Sequence, residues 1–449
     1  MRLLPIMGLL AGALLSFDAT VSVQAHTESE RDAIEPLSLE ARGLIIDDWM
    51  EQRIETVVPD LMRRTGIDMW ILISRENNED PTLLTMLPSD WFKARRRTIL
   101  VLTDLGVVDG VDRGVEALAV ARYDVGTLFK KAWDPETQPD QWARLVEIIA
   151  ERNPAKIGLN QSDFFAQADG LVATDKEQFL DALPAEYEER IVSAEKLAIG
   201  WLETRIQDEI GFYRVATKYA TQVIEQGFSD AVIEPGKTHT SEVEWWMLER
   251  IKGAGLDAWF PPTVTLQRQG GASPRMTGVI ERGDLLHVDI GVTYLRLNTD
   301  TQRHAYVLRD GETEAPESLQ QALRNGNQLQ DILTSNFVTG QTGNEILLKS
   351  LSEAREAGLR PSIYSHPIGY YGHGSGPTIG MWDKQEAIPV NGDYPLYPMT
   401  AHSIELNNTT YSDEWAQDVV IQLEESSWFD GQKVDYLFGR QTEFYLVRD

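Results

Sequence analysis

Two carboxylates eleven residues apart open the chemistry of this chain. Asp289 sits in the apolar run Leu285-Leu286-His287-Val288-Asp289-Ile290, and Asp300 follows in Asn298-Thr299-Asp300-Thr301-Gln302-Arg303. A buried ionised carboxylate is costly unless it is paired or binds a metal, and charged residues are seldom fully buried alone. Farther along, His366 and His373 lie in the Gly-rich stretch Ser365-His366-Pro367-Ile368-Gly369-Tyr370-Tyr371-Gly372-His373-Gly374. The chain has 7 His, so two in one loop is a concentration. Neutral imidazole serves both as a metal ligand and as a proton shuttle. Two further apolar strand patterns, Ala401–Leu406 and Val419–Glu424, carry Glu405 and Glu424. Alone, Glu424 reads as a strand-end charge facing water. With the others it completes an oxygen-rich, nitrogen-poor set. Four carboxylates and a His suit two divalent cations, Mn²⁺ first, with Zn²⁺ or Co²⁺ as alternatives. Two such ions bridged by carboxylates can hold a hydroxide and polarise a carbonyl for hydrolysis.

Composition narrows the options. A chain of 449 residues is long enough for two or three domains. Its formal net charge of −29 repels phosphate backbones and argues against nucleic acid as a partner. With no Cys, thiolate nucleophiles, disulfides and zinc fingers are excluded, so a metal would be held by His, Asp or Glu. Arg2, the apolar run Leu3–Phe17 and the small residues around Val23-Gln24-Ala25 read as a signal peptide over residues 1–25. That run is too short for a comfortable membrane span. The expectation is an exported, periplasmic protein without membrane attachment once the signal is removed.

The elements that position these residues follow from hydrophobic spacing. Ile45–Arg64 reads as a helix stopped by Gly66, and Met69–Ile73 as a buried strand. Arg97–Thr103, Val115–Tyr123 and Lys156–Leu159 read as strands, with a helix over Gln141–Glu151. This alternation implies an α/β layer domain over 26–195, which concentrates no catalytic residues. A second domain over 196–449 opens with a long helix, Trp201–Asp230. Another helix starts near Ser241, with Ser241 and Glu244 as a capping box. Pro261-Pro262 and Gln269–Pro274 mark loops.

The order Asp, Asp, His-x-x-Gly-x-x-x-His, Ile-Glu and a final strand Glu resembles the M24-type metallopeptidases with the pita-bread fold. These are the Xaa-Pro aminopeptidases, prolidases and methionine aminopeptidases, with creatinase as a metal-free relative. Gly283-Asp284-Leu285-Leu286-His287-Val288-Asp289-Ile290-Gly291 and Thr299-Asp300-Thr301-Gln302-Arg303 carry the resemblance most directly. It implies an α+β chain, with a creatinase-like α/β domain before a pita-bread catalytic domain. It also implies that Asp289 binds one metal, Asp300 both, and His366 and Glu405 the other, with Glu424 bridging. His373 would hold substrate or the tetrahedral intermediate, and Glu405 would be the general base. The implied activity is a dinuclear-metal peptide hydrolase, Xaa-Pro aminopeptidase or prolidase-like, acting on peptides with proline at the second position through a metal-bridging hydroxide. By the same analogy the chain could form a homodimer.

Departures keep alternatives open. The family's peptidases usually carry another His upstream of the first Asp. Residues 267–277 contain none, and Ser273 or Arg275 occupies that neighbourhood. His373 is followed by Gly, and Glu405 by Leu-Asn rather than Pro-Gly. His287 shares the strand face of Asp289 and could reach the site from another direction, whereas His402 reads as packed or surface-lying. Trp382, Tyr370 and Tyr371 either line the pocket or simply pack. Gly372-His373-Gly374-Ser375-Gly376 is not a serine-hydrolase elbow, and the loop lacks a P-loop lysine. A hydrolase of another amide or ester, or a non-catalytic pita-bread protein that binds peptide or metal, stays in contention.

Overall fold

Helix α1 (Leu39–Thr65) begins where the Ser38 side chain accepts the Ala41 N–H at 3.3 Å. It ends at Gly66, whose φ of 66° lets the chain reverse at little steric cost. These coordinates come from a computed structural model that describes residues 35–448, so the signal-peptide segment lies outside the described residues. Ile54, Val58, Leu61 and Met62 line the buried face of α1. Strand β1 (Met69–Arg75) is buried on both faces, as suits a strand covered on either side. It is joined by β2 (Arg97–Asp104), β3 (Val115–Val120), β4 (Lys130–Lys131), β5 (Ile157–Leu159) and β6 (Ile191–Ser193). The six-stranded sheet has the order β4-β3-β2-β1-β5-β6, with α2 (Gln141–Arg152) against one face and α1 against the other. Helix α3 (Glu195–Glu203) adds Leu197, Ile199 and Trp201 to the core on the α1 side.

The long helix expected over Trp201–Asp230 is two helices. α3 stops at Glu203 and α4 runs over Gln207–Gly227. The intervening backbone is extended because Thr204 pairs with Thr400 and the Arg205 N–H donates to the Met399 carbonyl at 2.7 Å. Tertiary pairing overrides a helical pattern here. The interruption lets the Glu209 carboxylate accept the free Ile206 N–H at 2.9 Å. α5 (Thr240–Gly253) begins ahead of the expected cap. Its capping carboxylate is Glu242, which accepts the His239 N–H at 2.7 Å, while Glu244 accepts the Val264 N–H at 2.8 Å.

The second sheet has nine strands: β7 (Thr263–Gln267), β8 (Leu285–Ile290), β9 (Thr301–Val307), β10 (Pro361–Ile363), β11 (His366–Pro367), β12 (Thr400–Ser412), β13 (Gln417–Phe429), β14 (Val434–Tyr436) and β15 (Tyr445–Val447). The main path is β7-β8-β9-β13-β12-β10, with β11 on β12, β14 on β13 and β15 on β9. Helices α6 (Glu317–Ser335) and α7 (Gly343–Glu356) cover one face over Ile404, Leu406, Ile421 and Leu423. A Cβ at Gly326 of α6 would lie 3.0 Å from Leu423, so the absent side chain sets how closely α6 approaches. Side chains alternate across a strand, so Glu405 and Glu424 project to the opposite face. The chain is therefore α+β, an N-terminal α/β sheet domain followed by a second domain built on the nine-stranded sheet.

Candidate metal centre

Strand register assembles the centre. Asp289 pairs with Gln302, Gln302 with Glu424, and Glu424 with Glu405. Directly opposite residues share a face, so these four side chains form one row across β8, β9, β13 and β12. Two residues along lies a second row. Ser426 pairs with Ser403, and Ser403 with His366 of β11. Asp300 joins this row through its N–H, which donates to Ser426 Oγ at 3.0 Å. The small serines leave room between Asp300 and His366. All six residues singled out from sequence meet here: ligand atoms of Asp289, Asp300 and Glu424 lie within 4.8 Å of one another, as do those of His366, Glu405 and Glu424, and of Asp300, His366 and His373.

Neighbouring groups fix the orientation of these side chains. Gln302 Nε2 donates to Glu424 at 2.7 Å and to Glu405 at 2.9 Å. Its Oε1 meets His287 Nε2 at 2.7 Å, and since Oε1 can only accept, His287 is protonated at Nε2. His287 thus touches the centre through Gln302 rather than entering it. Ser403 Oγ donates to Glu424 at 2.5 Å. His366 Nδ1 lies 3.1 Å from the Pro367 carbonyl, a contact that requires a proton on Nδ1 and leaves Nε2 as the acceptor. That Nε2 stands 3.7–3.8 Å from carboxylate oxygens of Asp300, Glu405 and Glu424. His366 Nε2, Asp289 Oδ1 and Asp300 Oδ1 are buried acceptors without a hydrogen-bond partner. Acceptors facing acceptors repel, and desolvating each carboxylate costs on the order of several kcal/mol. A cation relieves both penalties, so the donor set fits a divalent metal.

Electrostatics carry the same signature. Burial, and then the charge of Glu424, pushes Asp289, Asp300 and Glu405 well above the ordinary carboxylate range. Arg275 opposes this at Asp289 and Glu405, so its positive charge reaches the centre from the loop that lacks the expected His. His373 stands at the exposed edge, its ring 4.8 Å from His366 and 5.2 Å from Trp259. Partial burial and then His366 lower its affinity for a proton.

The remaining sequence candidates lie elsewhere. His402 is buried against Phe337, and burial pushes its pKa down to about 3. Trp382 is 74% exposed. Tyr370 stacks with Trp201 and the buried Arg53 and Arg205, and Tyr371 Oη donates to the Pro81 carbonyl at 2.9 Å. Gln302, Ser403 and Ser426 received no role from sequence, because only the register places them between the ligands. Trp259 is a further addition: its Nε1 donates to the Thr299 carbonyl at 2.8 Å, beside Asp300.

A family model described as metallopeptidase family M24 matches residues 212–427, a span containing all six residues. The C-terminal domain belongs to metallopeptidase family M24. Among solved structures, the X-Pro aminopeptidase from Thermotoga maritima MSB8 superposes with a TM-score of 0.60 at 17% identity, covering 86% of this chain and 100% of that one. The Xaa-Pro dipeptidase from Bacillus anthracis gives 0.56 at 15% identity over 90% and 99% of the two chains. The N-terminal domain of FACT complex subunit SPT16 from Cicer arietinum gives 0.51 at 12% identity over 92% and 100%. At these identities the likeness is one of fold, and it identifies the second domain as pita-bread. No curated protein matches the chain. Among the described residues, no helix is long and apolar enough to cross a membrane.

Proposed function

We propose that this M24 protein is an exported dinuclear-metal peptide hydrolase that removes the residue preceding a proline. The observation that carries the reading is the pair of ligand groups sharing Glu424, with buried, unpartnered acceptors on Asp289, Asp300 and His366. In this reading Asp289, Asp300 and Glu424 would hold one ion, and Asp300, His366, Glu405 and Glu424 the other. Bound ions would polarise the scissile carbonyl and supply a hydrolytic nucleophile at neutral pH, with Mn²⁺ the first candidate and Zn²⁺ or Co²⁺ next.

The chain's own residues do the rest. Glu405, at the solvent-reachable end of the ligand row, takes the proton of the attacking water at a carboxylate oxygen and passes it to the leaving amine. Gln302 holds Glu405 and Glu424 in register through one amide. His373, at the exposed rim, donates a hydrogen bond to the substrate carbonyl as it gains negative charge. The leader-like residues 1–25 support export to a periplasm, and the fold analogy supports a homodimer.

A second reading is a pita-bread protein that binds peptide or metal without turnover. The absence of His from residues 267–277 favours it. A third is hydrolysis of another amide or ester at the same centre. Peptides of the form Xaa-Pro-Yaa, their Xaa-Ala-Yaa counterparts and simple amides and esters separate the three when incubated with the Mn²⁺-supplemented protein. Proline-dependent release of the first residue supports the proposal. Cleavage without proline dependence favours the third reading, and metal uptake without any cleavage favours the second.

A further inference from the structure

The N-terminal domain holds a cavity of about 480 Å³ that the hydrolytic reading does not use. Its wall contains Arg95, Arg96, Arg97 and Arg122 and no acidic residue, in a chain whose formal charge is −29. Chance placement of cations on so acidic a chain does not favour four guanidinium groups around one hollow. The fold also works against one of them. Arg96 adopts φ 58°, a conformation that disfavours side chains other than glycine and asparagine.

The two arginines that lack an acidic partner each lie over an aromatic ring. The Arg95 guanidinium carbon lies 4.0 Å from the Trp91 ring centre, and that of Arg122 lies 5.8 Å from the Trp133 ring centre. A guanidinium drawn to a ring by cation–π attraction still has N–H donors to offer an oxyanion. Arg97 is tied to Asp175 at 3.1 Å, and Arg96 stands 4.0 Å from Glu76. Among the described residues no carboxylate lies within ion-pair distance of Arg95 or Arg122. Two paired arginines and two uncompensated ones thus line the hollow.

We propose that this cavity binds a small oxyanion ligand, one bearing carboxylate or phosphate groups, through the N–H edges of Arg95 and Arg122. The volume falls within the range of small-molecule pockets, and forked guanidinium donors match planar or tetrahedral oxyanions. This inference is independent of the reaction at the metal centre.

Isothermal titration of the mature chain with succinate and with inorganic phosphate, each at constant ionic strength set with NaCl, tests it. The expected result is saturable binding of one or both anions at one site per chain, weakened about tenfold or more in the Arg95→Gln/Arg122→Gln double variant. Preference for succinate identifies a carboxylate ligand, and preference for phosphate a phosphate-bearing one. Both arginines are exposed, so the variant should fold, which far-UV circular dichroism checks. Should it not, Arg122→Gln alone carries the same comparison. Absence of saturable binding to the wild type, or equal affinity in the variant, overturns the proposal.

Discussion

Gln302 illustrates what a single side chain contributes to the centre. One amide nitrogen serves two carboxylates, and its oxygen accepts from His287. Outer partners of this kind typically govern 10–100-fold of metal affinity. Gln302→Ala should therefore weaken binding of the second equivalent of Mn²⁺ by about that factor while the protein stays folded, as metal titration would record. Unchanged affinity would mean the carboxylates orient themselves. Asp300 is less replaceable, because the proposed arrangement gives it to both ions. Asp300→Ala should lose metal retention and hydrolysis together, with the far-UV spectrum intact, and a metal-loaded, active variant would refute the dinuclear arrangement. Residue types were the legible part of this site. Asp289, Asp300, His366, His373, Glu405 and Glu424 announce themselves as charges or imidazoles in apolar or Gly-rich surroundings. Gln302, Ser403 and Ser426 are ordinary polar residues, and nothing in their local spacing reports what stands opposite them.

Between elements, register decides. Asp289, Gln302, Glu424 and Glu405 form a row only because four strands align without a slip, and a shift of one residue would turn each side chain to the helix-covered face. Sequence patterns recovered most of the strands and helices of the N-terminal sheet domain, since period and length suffice for that. They missed the interruption at Thr204–Ile206, where pairing with Met399 and Thr400, about two hundred residues away, outweighs local helical preference. They also misplaced the cap of α5, where His239 and Glu242 act instead of Ser241 and Glu244. The histidine loop is held by close approach. A Cβ at Gly372 would sit 2.3 Å from the Trp259 ring, which cannot yield as a flexible chain would. Gly372→Ala should therefore displace Trp259 or the His373 segment and reduce kcat/KM by about tenfold or more. The fold should survive, since the strain is confined to a loop. Retained kcat/KM in a normally folded variant would place the loop's control of the site elsewhere.

Across the whole molecule, buried charge links the helices to the sheets. Arg53 of α1, fully buried, bonds Glu209 at 3.1 Å and stacks on Trp201 and Tyr370, tying the first helix to the histidine loop. Glu203 is likewise buried, accepts the Tyr394 hydroxyl at 2.9 Å, and is pushed by burial from 4.5 to about 8. A folded-state value above the unfolded one means that the folded chain holds a proton the unfolded chain releases. Stability from this group is complete below about 4.5 and declines as pH rises toward 8. Glu203→Gln should remove that decline, gaining on the order of 5 kcal/mol relative to wild type between the two limits, read from denaturant midpoints. Parallel pH profiles for the two proteins would contradict it. Elemental analysis of the purified protein after Mn²⁺ loading and desalting tests most directly whether the carboxylate rows form a two-metal site. Two retained ions per chain is the predicted result, and none retained would contradict it.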